Sequence, residues 1–504
     1  MADTAALGLS PVTTIRWSTG AEEHRFRVED PATGRQITVV QGGGVQEVNG
    51  AVEAAHHAFV HDWRRRAPAE RCALLLKCAD VLEQHGDELA ALESLENGKP
   101  IADAKAQDIR FLVDVFRFFG ALADKLPSEF YDKGNIYTSV VWEPFGVVGA
   151  IVPFNWPPIH TGGKVAAALA AGNTIVVKPS EHAPLTIFRI VDLINTVLPP
   201  DVVQVVCGVG GSIPQALVGH PLVRKITFTG STATGAQVAK TAAANITSVT
   251  LELGGKNPFV VFDDADIERA VRDALEGGFF NKGEACTAAS RILVQRGVHD
   301  RFVERLAEGV AKLRVGDGSD PSTHVGPLVS RAQRDRVLDF IRVGRDEGAV
   351  VAAEASLPDD PRLADGFYVR PTLFIAVTPN MRIANEEIFG PVQTVTVFDT
   401  EDEAVTVANA SEYGLMCGIY SGDMSRALRV ARRIETGMVL INNYFRGVLG
   451  TPFGGVKQSG YGREHSIETL RDYAQAKMIR FPTGIGQIPS WRAVDEIFGA
   501  ATKL

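Results

Sequence analysis

Cys286 lies in a stretch whose composition could make its thiol a nucleophile. The stretch reads Phe279-Phe280-Asn281-Lys282-Gly283-Glu284-Ala285-Cys286-Thr287-Ala288-Ala289-Ser290-Arg291. Gly283 and Ala285 are small, so a ligand or a backbone segment can approach closely, and Lys282 and Arg291 add positive charge. A thiol reacts as the thiolate, which nearby cations or a helix N-terminus favour. The stretch therefore indicates nucleophilic catalysis, although a buried structural cysteine among alanines would have the same pattern.

Glu252 is the candidate general base. It follows an apolar strand and precedes two glycines in Thr250-Leu251-Glu252-Leu253-Gly254-Gly255-Lys256. A carboxylate at the end of a strand can accept a proton from a nucleophile or from water if the fold brings it to the thiol.

Asn155 is the candidate oxyanion donor. It stands between prolines in Pro153-Phe154-Asn155-Trp156-Pro157-Pro158. The prolines hold this loop rigid, and a rigid amide N–H can stabilise an oxyanion by about 3 kcal/mol. A structural turn asparagine is the alternative interpretation.

Two further strand ends carry groups that suit a nucleotide. Lys178 and Glu181 could take the hydroxyls of a ribose, or Ser180 and Glu181 could belong to a helix cap. Gly230 and Ser231 end a strand and open a helix, where backbone N–H groups and the helix dipole attract a pyrophosphate. The glycine spacing there is G-x-x-x-x-G and not the dinucleotide fingerprint G-x-G-x-x-G, so this signal is weak by itself.

The segment Glu386-Glu387-Ile388-Phe389-Gly390-Pro391 offers a third nucleotide contact. Glu387 could bind a ribose and Phe389 could pack on a flat ring. Taken alone, two acidic residues beside a Gly-Pro turn are typical of an exposed surface.

The elements that must position these residues follow an alternating pattern. Helical spacing of apolar residues runs from residue 45 to about 126, and a strand excursion follows at residues 127–146. Strands are predicted near 147–152, 174–177, 203–206, 225–229 and 249–252, with helices between them. A second alternation begins after Gly255, with strands near 259–262, 292–294, 392–398 and 438–441. Such alternation predicts parallel, doubly wound sheets, which bind ligands at the carboxyl ends of their strands.

Composition excludes several classes of function. The chain has 504 residues, enough for two or three domains, and a formal net charge of −9 without a basic run, which argues against a nucleic-acid partner. Its five cysteines are scattered and never spaced Cys-x-x-Cys, which argues against a disulfide scaffold or a zinc site and for a reducing, cytoplasmic location. We expect no metal. Residues 1–10 lack a basic secretory region, and no apolar run reaches the ~20 residues of a membrane span.

Together and in this order, the motifs resemble the NAD(P)-dependent aldehyde dehydrogenase family from about Asp30 to about Phe481. The most specific pieces are Glu252-Leu253-Gly254-Gly255-Lys256, then Cys286, then Glu386-Glu387-Ile388-Phe389-Gly390-Pro391 and Pro452-Phe453-Gly454-Gly455. The resemblance implies that the Cys286 thiol attacks an aldehyde carbonyl, and that the Asn155 amide and the Cys286 backbone N–H stabilise the alkoxide. Water activated by Glu252 would then hydrolyse the resulting thioester to a carboxylic acid.

The resemblance also implies a cofactor site. Lys178 and Glu181 would hold the adenosine ribose, Gly230 and Ser231 the pyrophosphate, and Glu387 the nicotinamide ribose with Phe389 packed nearby; Trp156 would also contact the cofactor. A carboxylate at position 181 repels a 2′-phosphate, so we expect NAD rather than NADP.

The same resemblance implies two doubly wound α/β domains and a small β oligomerisation arm. A dinucleotide-binding domain is expected at residues 1–126 and 147–252, a catalytic domain at 253–442, an oligomerisation arm at 127–146 and 471–485, and a C-terminal tail at 486–504. The family forms dimers or tetramers, so a homodimer or homotetramer is expected.

The resemblance implies a substrate tunnel lined by residues 111–119, Phe154, Trp156, the residues that flank Cys286 and the loop at residues 443–453. This aromatic lining favours an apolar or aromatic aldehyde, while Arg446 leaves open a semialdehyde that bears a carboxylate. The chain departs from the family where Phe154 and Trp156 are exchanged around Asn155, and where Glu284 stands before the thiol in place of the frequent Gln.

Overall fold

The computed structural model describes residues 24–444 and 447–499. The described residues form twenty strands. In chain order these are β1 Arg25–Asp30, β2 Arg35–Gln41, β3 Glu129–Asp132, β4 Ile136–Pro144, β5 Val147–Ile151, β6 Thr174–Lys178, β7 Val203–Val205, β8 Val223–Thr229, β9 Ser248–Glu252, β10 Pro258–Val261, β11 Arg291–Gln295, β12 Val350–Glu354, β13 Thr372–Ile375, β14 Val392–Phe398, β15 Tyr413–Gly414, β16 Met416–Tyr420, β17 Met438–Ile441, β18 Val456–Lys457, β19 Gly460–Tyr461 and β20 Ala474–Pro482.

The α-helices of the same residues cover the faces of the sheets. They are α1 Val45–His61, α2 Pro68–Gln84, α3 Gly86–Asn97, α4 Ile101–Asp103, α5 Arg110–Leu122, α6 Pro157–Ala170, α7 Leu185–Asn195, α8 Ser212–Gly219, α9 Thr232–Ala243, α10 Ile267–Phe279, α11 His299–Ala311, α12 Arg331–Asp346, α13 Arg382–Asn385, α14 Glu401–Asn409, α15 Met424–Ala431, α16 Ile467–Asp472 and α17 Arg492–Phe498. A π-helical stretch, Ala104–Ile109, joins α4 to α5.

The first large sheet has the strand order β19-β9-β8-β5-β6-β7. Strands β5 to β9 run parallel, and β19 pairs antiparallel with β9. Every residue of β5 and β6 is buried, because helices cover both faces of a parallel sheet. Since β19 comes from residues 460–461, the chain returns to this sheet long after leaving it.

The second large sheet has the order β12-β13-β14-β11-β10-β16-β17. All of its pairs are parallel except β12 with β13. The predicted α/β class with two doubly wound sheets is therefore confirmed. Sequence patterns missed β12, β13 and β16, which are short strands outside the alternation that we recognised.

A third sheet of three antiparallel strands, β20-β4-β3, lies where the oligomerisation arm was predicted. Its apolar side chains are left uncovered: Phe130 is 60% exposed and Met478 is 53% exposed. The predicted role of this sheet, and the predicted domain boundaries, stay predictions.

Helix α6 carries several groups toward the centre of the molecule. Pro157 and Pro158 occupy its first turn, where a missing N–H is tolerated. Nearly every residue of α6 is buried, including the polar residues His160, Thr161 and Lys164. Gly162 permits close packing on α5, because a Cβ there would lie 2.8 Å from a methyl group of Leu112.

Within residues 24–444 and 447–499, no helix combines the length and the hydropathy that a membrane span requires.

Candidate active site

Two cavities meet at Cys286. The first, which we call the aromatic cavity, has a volume of about 110 Å³ and is lined by Gln107, Phe111, Trp156, Ile159, His160, Glu276, Phe280, Cys286, Thr287, Gly447, Phe453 and His465. The second, which we call the glycine-rich cavity, has a volume of about 280 Å³ and is lined by Pro153, Phe154, Asn155, Thr229, Gly230, Ser231, Leu253, Gly254, Cys286, Gln333, Arg336, Glu387 and Phe389. Among the described lining residues, Cys286 is common to both.

The loop that carries the thiol, residues 280–286, has an unusual backbone. Asn281, Lys282 and Gly283 follow one another in the left-handed region, with φ of 50°, 63° and 69°. Non-glycine residues adopt this region only where surrounding contacts compensate the strain. Gly283 is required for close approach as well, since a Cβ there would lie 2.2 Å from the carbonyl oxygen of Gly390. The Asn257 side chain then anchors the end of the loop by donating to the Cys286 carbonyl at 2.8 Å.

Lys282 holds this loop against the end of α3. Its ammonium is fully buried, donates to the Asn97 carbonyl at 2.8 Å and forms an ion pair with Glu284 at 3.0 Å. Glu284 also accepts the N–H of Val329 at 3.2 Å. Burial raises the pKa of Glu284 and lowers the pKa of Lys282, while each charge partly opposes the shift of the other. The Glu284 carboxylate is therefore used in the loop's own ion pair.

Arg291 does not supply charge to the thiol, and that part of the sequence interpretation is wrong. Its guanidinium donates to the carbonyls of Val407 and Ala408, at 2.9 Å and 2.7 Å, at the C-terminal end of α14. The last carbonyls of a helix need partners and attract cations, which explains this orientation.

Asn155 reaches the thiol from the loop between β5 and α6. It is 2% exposed, and its side-chain nitrogen donates to the Glu284 carbonyl at 3.0 Å. An amide nitrogen carries two hydrogens, so this bond orients the amide and leaves the second hydrogen for an oxyanion. The structure brings Asn155 and Cys286 together in the lining of the glycine-rich cavity.

Lys99 fixes the backbone of the same loop. It donates to the Asn155 carbonyl at 3.3 Å, and it is paired with Glu93 and Asp108 in a fully buried cluster. Burial alone would lower the pKa of Lys99, but these two carboxylates raise it above the ordinary value. Its ammonium also lies 4.5 Å from the ring of Trp156. Asp108 belongs to the π-helical stretch, a conformation that recurs at functional sites.

Glu252 lines neither of the two cavities. Its carboxyl group is buried, packs over Gly454, and has no hydrogen-bond partner within the described chain. Burial raises its pKa well above the ordinary value, and the nearby carboxylate of Glu464 raises it further. Glu464 forms a buried ion pair with Lys164 of α6. Because its pKa is raised, the carboxyl group of Glu252 ionises only at higher pH, and it can accept a proton only in the ionised form.

Four of the residues predicted to bind a cofactor line the glycine-rich cavity: Gly230, Ser231, Glu387 and Phe389. Ser231 caps α9 by accepting the N–H of Thr234 at 3.3 Å. Glu387 accepts the N–H of Gly255 at 3.0 Å, and burial raises its pKa to about 7.

Lys178 and Glu181 form an ion pair of 3.3 Å at the carboxyl end of β6. Burial alone would raise the pKa of Glu181, but the Lys178 ammonium lowers it below the ordinary value, so the carboxylate stays charged. Strand β6 is the neighbour of β5, whose end carries the Asn155 loop. The pair therefore lies at the sheet edge from which the glycine-rich cavity opens.

Trp156 was predicted to contact the cofactor, and the structure places it elsewhere. Its ring lies in the aromatic cavity, 5.6 Å from the ring of Phe280. Phe154, which was predicted to line the tunnel, lies instead in the glycine-rich cavity, edge-on to Phe389 at 5.8 Å. The bend of the chain at Asn155 sends the two aromatic rings to opposite sides of the thiol. Most of the stripe at residues 111–119 is core: Phe116 and Phe119 are fully buried, and Phe111 lines the cavity.

Sequence reasoning missed four groups near the site: Lys99, the Lys164–Glu464 pair, His160 and His465. The available signal was that His160 and Lys164 stand one turn apart in a helix otherwise rich in apolar and small residues. Arg446 lies outside the described residues. Among those residues, no group of three His, Cys, Asp or Glu side chains could hold a metal ion.

Comparison with known proteins identifies the family that the chain resembles. A sequence model of the aldehyde dehydrogenase family matches residues 17–479. Aldehyde dehydrogenase citD of Monascus ruber is 56% identical over 494 residues, which cover 97% of this chain and 98% of that protein. The betaine aldehyde dehydrogenase of Mesorhizobium japonicum is 41% identical over 455 residues, 90% of this chain and 93% of that protein.

The chain is also similar to solved structures over nearly its whole length. PnpE from Pseudomonas sp. WBC-3, in complex with nicotinamide adenine dinucleotide, has a TM-score of 0.91 at 42% identity and covers 96% of this chain and 98% of its own. Betaine aldehyde dehydrogenase from Staphylococcus aureus in complex with NAD+ has a TM-score of 0.90 at 38% identity, covering 94% and 95%.

Gly283→Ala tests the strained loop. We expect it to lower the free energy of unfolding by about 1–3 kcal/mol more than Gly134→Ala, since the added methyl group meets backbone atoms that cannot move aside. Gly134 is the matched control because its φ is 82° and a Cβ there would have no atom within 4 Å. Urea unfolding at one protein concentration measures both variants. Equal losses would show that close approach at Gly283 does not constrain the loop.

Proposed function

Because the chain belongs to the aldehyde dehydrogenase family, whose members oxidise aldehydes to carboxylic acids, we propose that this protein forms a thioester on Cys286 and hydrolyses it. The observation that carries the proposal is that the thiol lines both cavities. An aldehyde held in the aromatic cavity would present its carbonyl to a thiol that also faces the glycine-rich cavity.

The first step is attack of the Cys286 sulfur on the aldehyde carbon. The carbonyl oxygen becomes an alkoxide, and the Asn155 amide is the donor that stabilises it. Because Glu284 and Lys99 hold Asn155 by its side chain and its carbonyl, the donor needs no reorganisation as charge develops. One such donor contributes about 3 kcal/mol of transition-state stabilisation.

The glycine-rich cavity suits NAD. The N-terminus of α9, capped by Ser231, offers N–H groups to a pyrophosphate, and Glu387 is available for a ribose hydroxyl. A Cβ on Gly254 would lie 2.3 Å from Glu387, so this glycine keeps the cavity open. When bound, NAD supplies the hydride acceptor for the oxidation. The NAD complexes of two structural neighbours support this cofactor.

Hydrolysis of the thioester requires a base, and we assign it to Glu252. Its carboxyl group must leave the position over Gly454 and must be ionised to accept a proton from water. Since burial raises its pKa, the ionised fraction grows as the pH rises, and thioester hydrolysis should accelerate in the same direction. The presence of Glu252 favours hydrolysis over transfer of the acyl group to coenzyme A, because a base that activates water is needed only for hydrolysis.

The substrate proposal rests on the walls of the aromatic cavity. Phe111, Trp156, Phe280 and Phe453 favour an apolar or aromatic aldehyde. The alternative, a semialdehyde bound by a guanidinium, depends on Arg446, which lies outside the described residues. We therefore propose the apolar or aromatic aldehyde.

The three-stranded sheet β20-β4-β3 also suggests that the protein forms a homo-oligomer. The exposed apolar residues of the three-stranded sheet, together with its two edge strands, would invite uncontrolled pairing unless a second copy covers them. We propose a homodimer or a homotetramer assembled through this sheet.

Glu252→Gln and Cys286→Ser separate the two half-reactions. Glu252→Gln should give a burst of NADH close to one per active site, followed by a steady rate reduced by at least about a hundredfold, since only hydrolysis needs the base. Cys286→Ser should give no burst and lose more than a hundredfold in rate, with NAD binding retained. Stopped-flow absorbance at 340 nm measures the burst, and calorimetry measures NAD binding. A Glu252→Gln enzyme without a burst would contradict the assigned role of Glu252.

Glu181→Ser tests the choice between NAD and NADP. Removal of the carboxylate ends its repulsion of a 2′-phosphate and leaves the Lys178 ammonium to attract that phosphate. We expect kcat/KM for NADP to rise at least about tenfold while kcat/KM for NAD falls. Glu53→Ser, an exposed residue on α1, is the control. An unchanged NADP rate would place the 2′ position away from Glu181.

A further inference from the structure

A single buried ammonium contacts both the loop that carries Asn155 and a wall of the aromatic cavity. Lys99 Nζ lies 3.3 Å from the carbonyl oxygen of Asn155 and 4.5 Å from the centre of the Trp156 ring. Asn155 and Trp156 are consecutive, yet Asn155 lines the glycine-rich cavity and Trp156 lines the aromatic cavity. Lys99 therefore lies where the linings of the two cavities separate.

Two carboxylates keep this ammonium in place. Glu93 of α3 pairs with Lys99 at 3.3 Å, and Asp108 pairs with it from the π-helical stretch. None of these three side chains is exposed. Burial alone would lower the pKa of Lys99, but the two carboxylates raise it above its ordinary value, so the ammonium stays charged. A cation that water does not reach interacts strongly with the face of an indole ring.

Backbone contacts hold the same loop from both sides. The Asn97 side-chain nitrogen donates to the Phe154 carbonyl at 2.6 Å. The Asn281 side-chain nitrogen donates to the Asn155 carbonyl at 2.9 Å, beside the bond from Lys99. Because two successive carbonyls are bound, the amide at position 155 and the ring at position 156 cannot turn independently of each other.

The π-helical stretch connects the ammonium to the substrate side of the site. Gln107 lines the aromatic cavity, whereas the next residue, Asp108, is buried and pairs with Lys99. A π-helical turn is rare and recurs at functional sites. Two members of the cavity lining are thus tied to one charge: Gln107 through its neighbour Asp108, and Trp156 through its ring.

We propose that Lys99 is a positioning residue that fixes the Asn155 amide and the Trp156 ring as one unit, so that one charge sets both the stabilisation of the oxyanion and the preference for aromatic aldehydes. This inference rests on the proposed function, because both groups act on the substrate of the same site. A fixed indole gives a flat substrate a wall to pack on, and a fixed amide meets the alkoxide without rearrangement.

Lys99→Met tests the link to Asn155, because it removes the charge and keeps most of the side-chain volume. Acetaldehyde is the substrate, since it has no ring to pack on the indole. With enzyme in excess over aldehyde, we expect the rate of NADH formation to fall at least about tenfold. NAD affinity, measured by calorimetry, should change less than about twofold, because Lys99 contacts no residue predicted to bind the cofactor except Trp156.

Two comparisons make this result specific. In the Asn155→Ala enzyme, Lys99→Met should change the acetaldehyde rate less than about twofold, because the amide that it positions is absent. Lys105→Met is the matched control: it makes the same chemical change on an exposed lysine of the π-helical stretch that pairs with Asp87. Losses that multiply in the Asn155→Ala enzyme would show that Lys99 does not act through Asn155 and would overturn the proposal.

The link to Trp156 is tested by the ratio of kcat/KM for benzaldehyde to kcat/KM for acetaldehyde. We expect Lys99→Met to lower this ratio at least about threefold, and Trp156→Leu to lower it at least as much. In the double variant the ratio should equal that of Trp156→Leu alone, since the ring that Lys99 supports is gone. An unchanged ratio in Lys99→Met, or losses that multiply in the double variant, would contradict the coupling.

The outcomes also separate this inference from the function beneath it. Equal rates and ratios in Lys99→Met and Lys105→Met would reject the role of Lys99 and leave the dehydrogenase intact. No NADH from either aldehyde with the unaltered protein would reject the proposed function itself. If Lys99→Met does not fold, as seen in its melting curve, Asp108→Asn replaces it, because this change keeps the shape and weakens the hold on Lys99. We expect both readouts to fall in that variant, and two unchanged readouts would overturn the proposal.

Discussion

The site depends on two fully buried lysines that hold separate parts of the chain together. Lys99 joins Glu93 and Asp108 to the Asn155 loop, and Lys282 joins the end of α3 to the thiol loop. A buried ammonium persists only where carboxylates and carbonyls replace its water, and loss of one partner leaves a charge that is costly by several kcal/mol. These bonds therefore define one arrangement of the amide and the thiol, and they explain why three left-handed residues are tolerated before Cys286.

The two cavities that meet at Cys286 have different chemistry because different residues line them. The glycine-rich cavity has the N-terminus of α9 and Glu387 and is suited to a nucleotide, whereas the walls of the aromatic cavity are mostly aromatic rings. Cys286 lines both cavities, and in the proposed function a carbonyl bound on one side would be oxidised from the other. Glu252 is kept apart and buried beside the Lys164–Glu464 pair, and this burial raises the pKa of its carboxyl group. In the proposed role as base, Glu252 would have to move and ionise before it acts.

Much of this could be read from residue patterns, and the remainder could not. Runs such as Val147–Ile151 and Thr174–Lys178 predict buried parallel strands, and the ends of such strands must meet at one edge. This is why Asn155 and several residues predicted to bind a cofactor could be placed near one another from the sequence. The directions in which side chains point were harder to predict from the sequence. Whether Phe154 or Trp156 faces the nucleotide depends on a bend at Asn155, and the partner of Arg291 is a helix end more than 100 residues away. The position of the His465 ring depends on a left-handed backbone and on Gly163, which no periodicity reveals.

The most direct test of the central claim is mass spectrometry of the peptide that contains Cys286, after acid quenching of Glu252→Gln enzyme mixed with NAD and an aromatic aldehyde. The account predicts that the acyl group of the substrate is attached to Cys286 in an amount that matches the NADH formed. Formation of NADH with Cys286 unmodified, or with the acyl group on another residue, would contradict it.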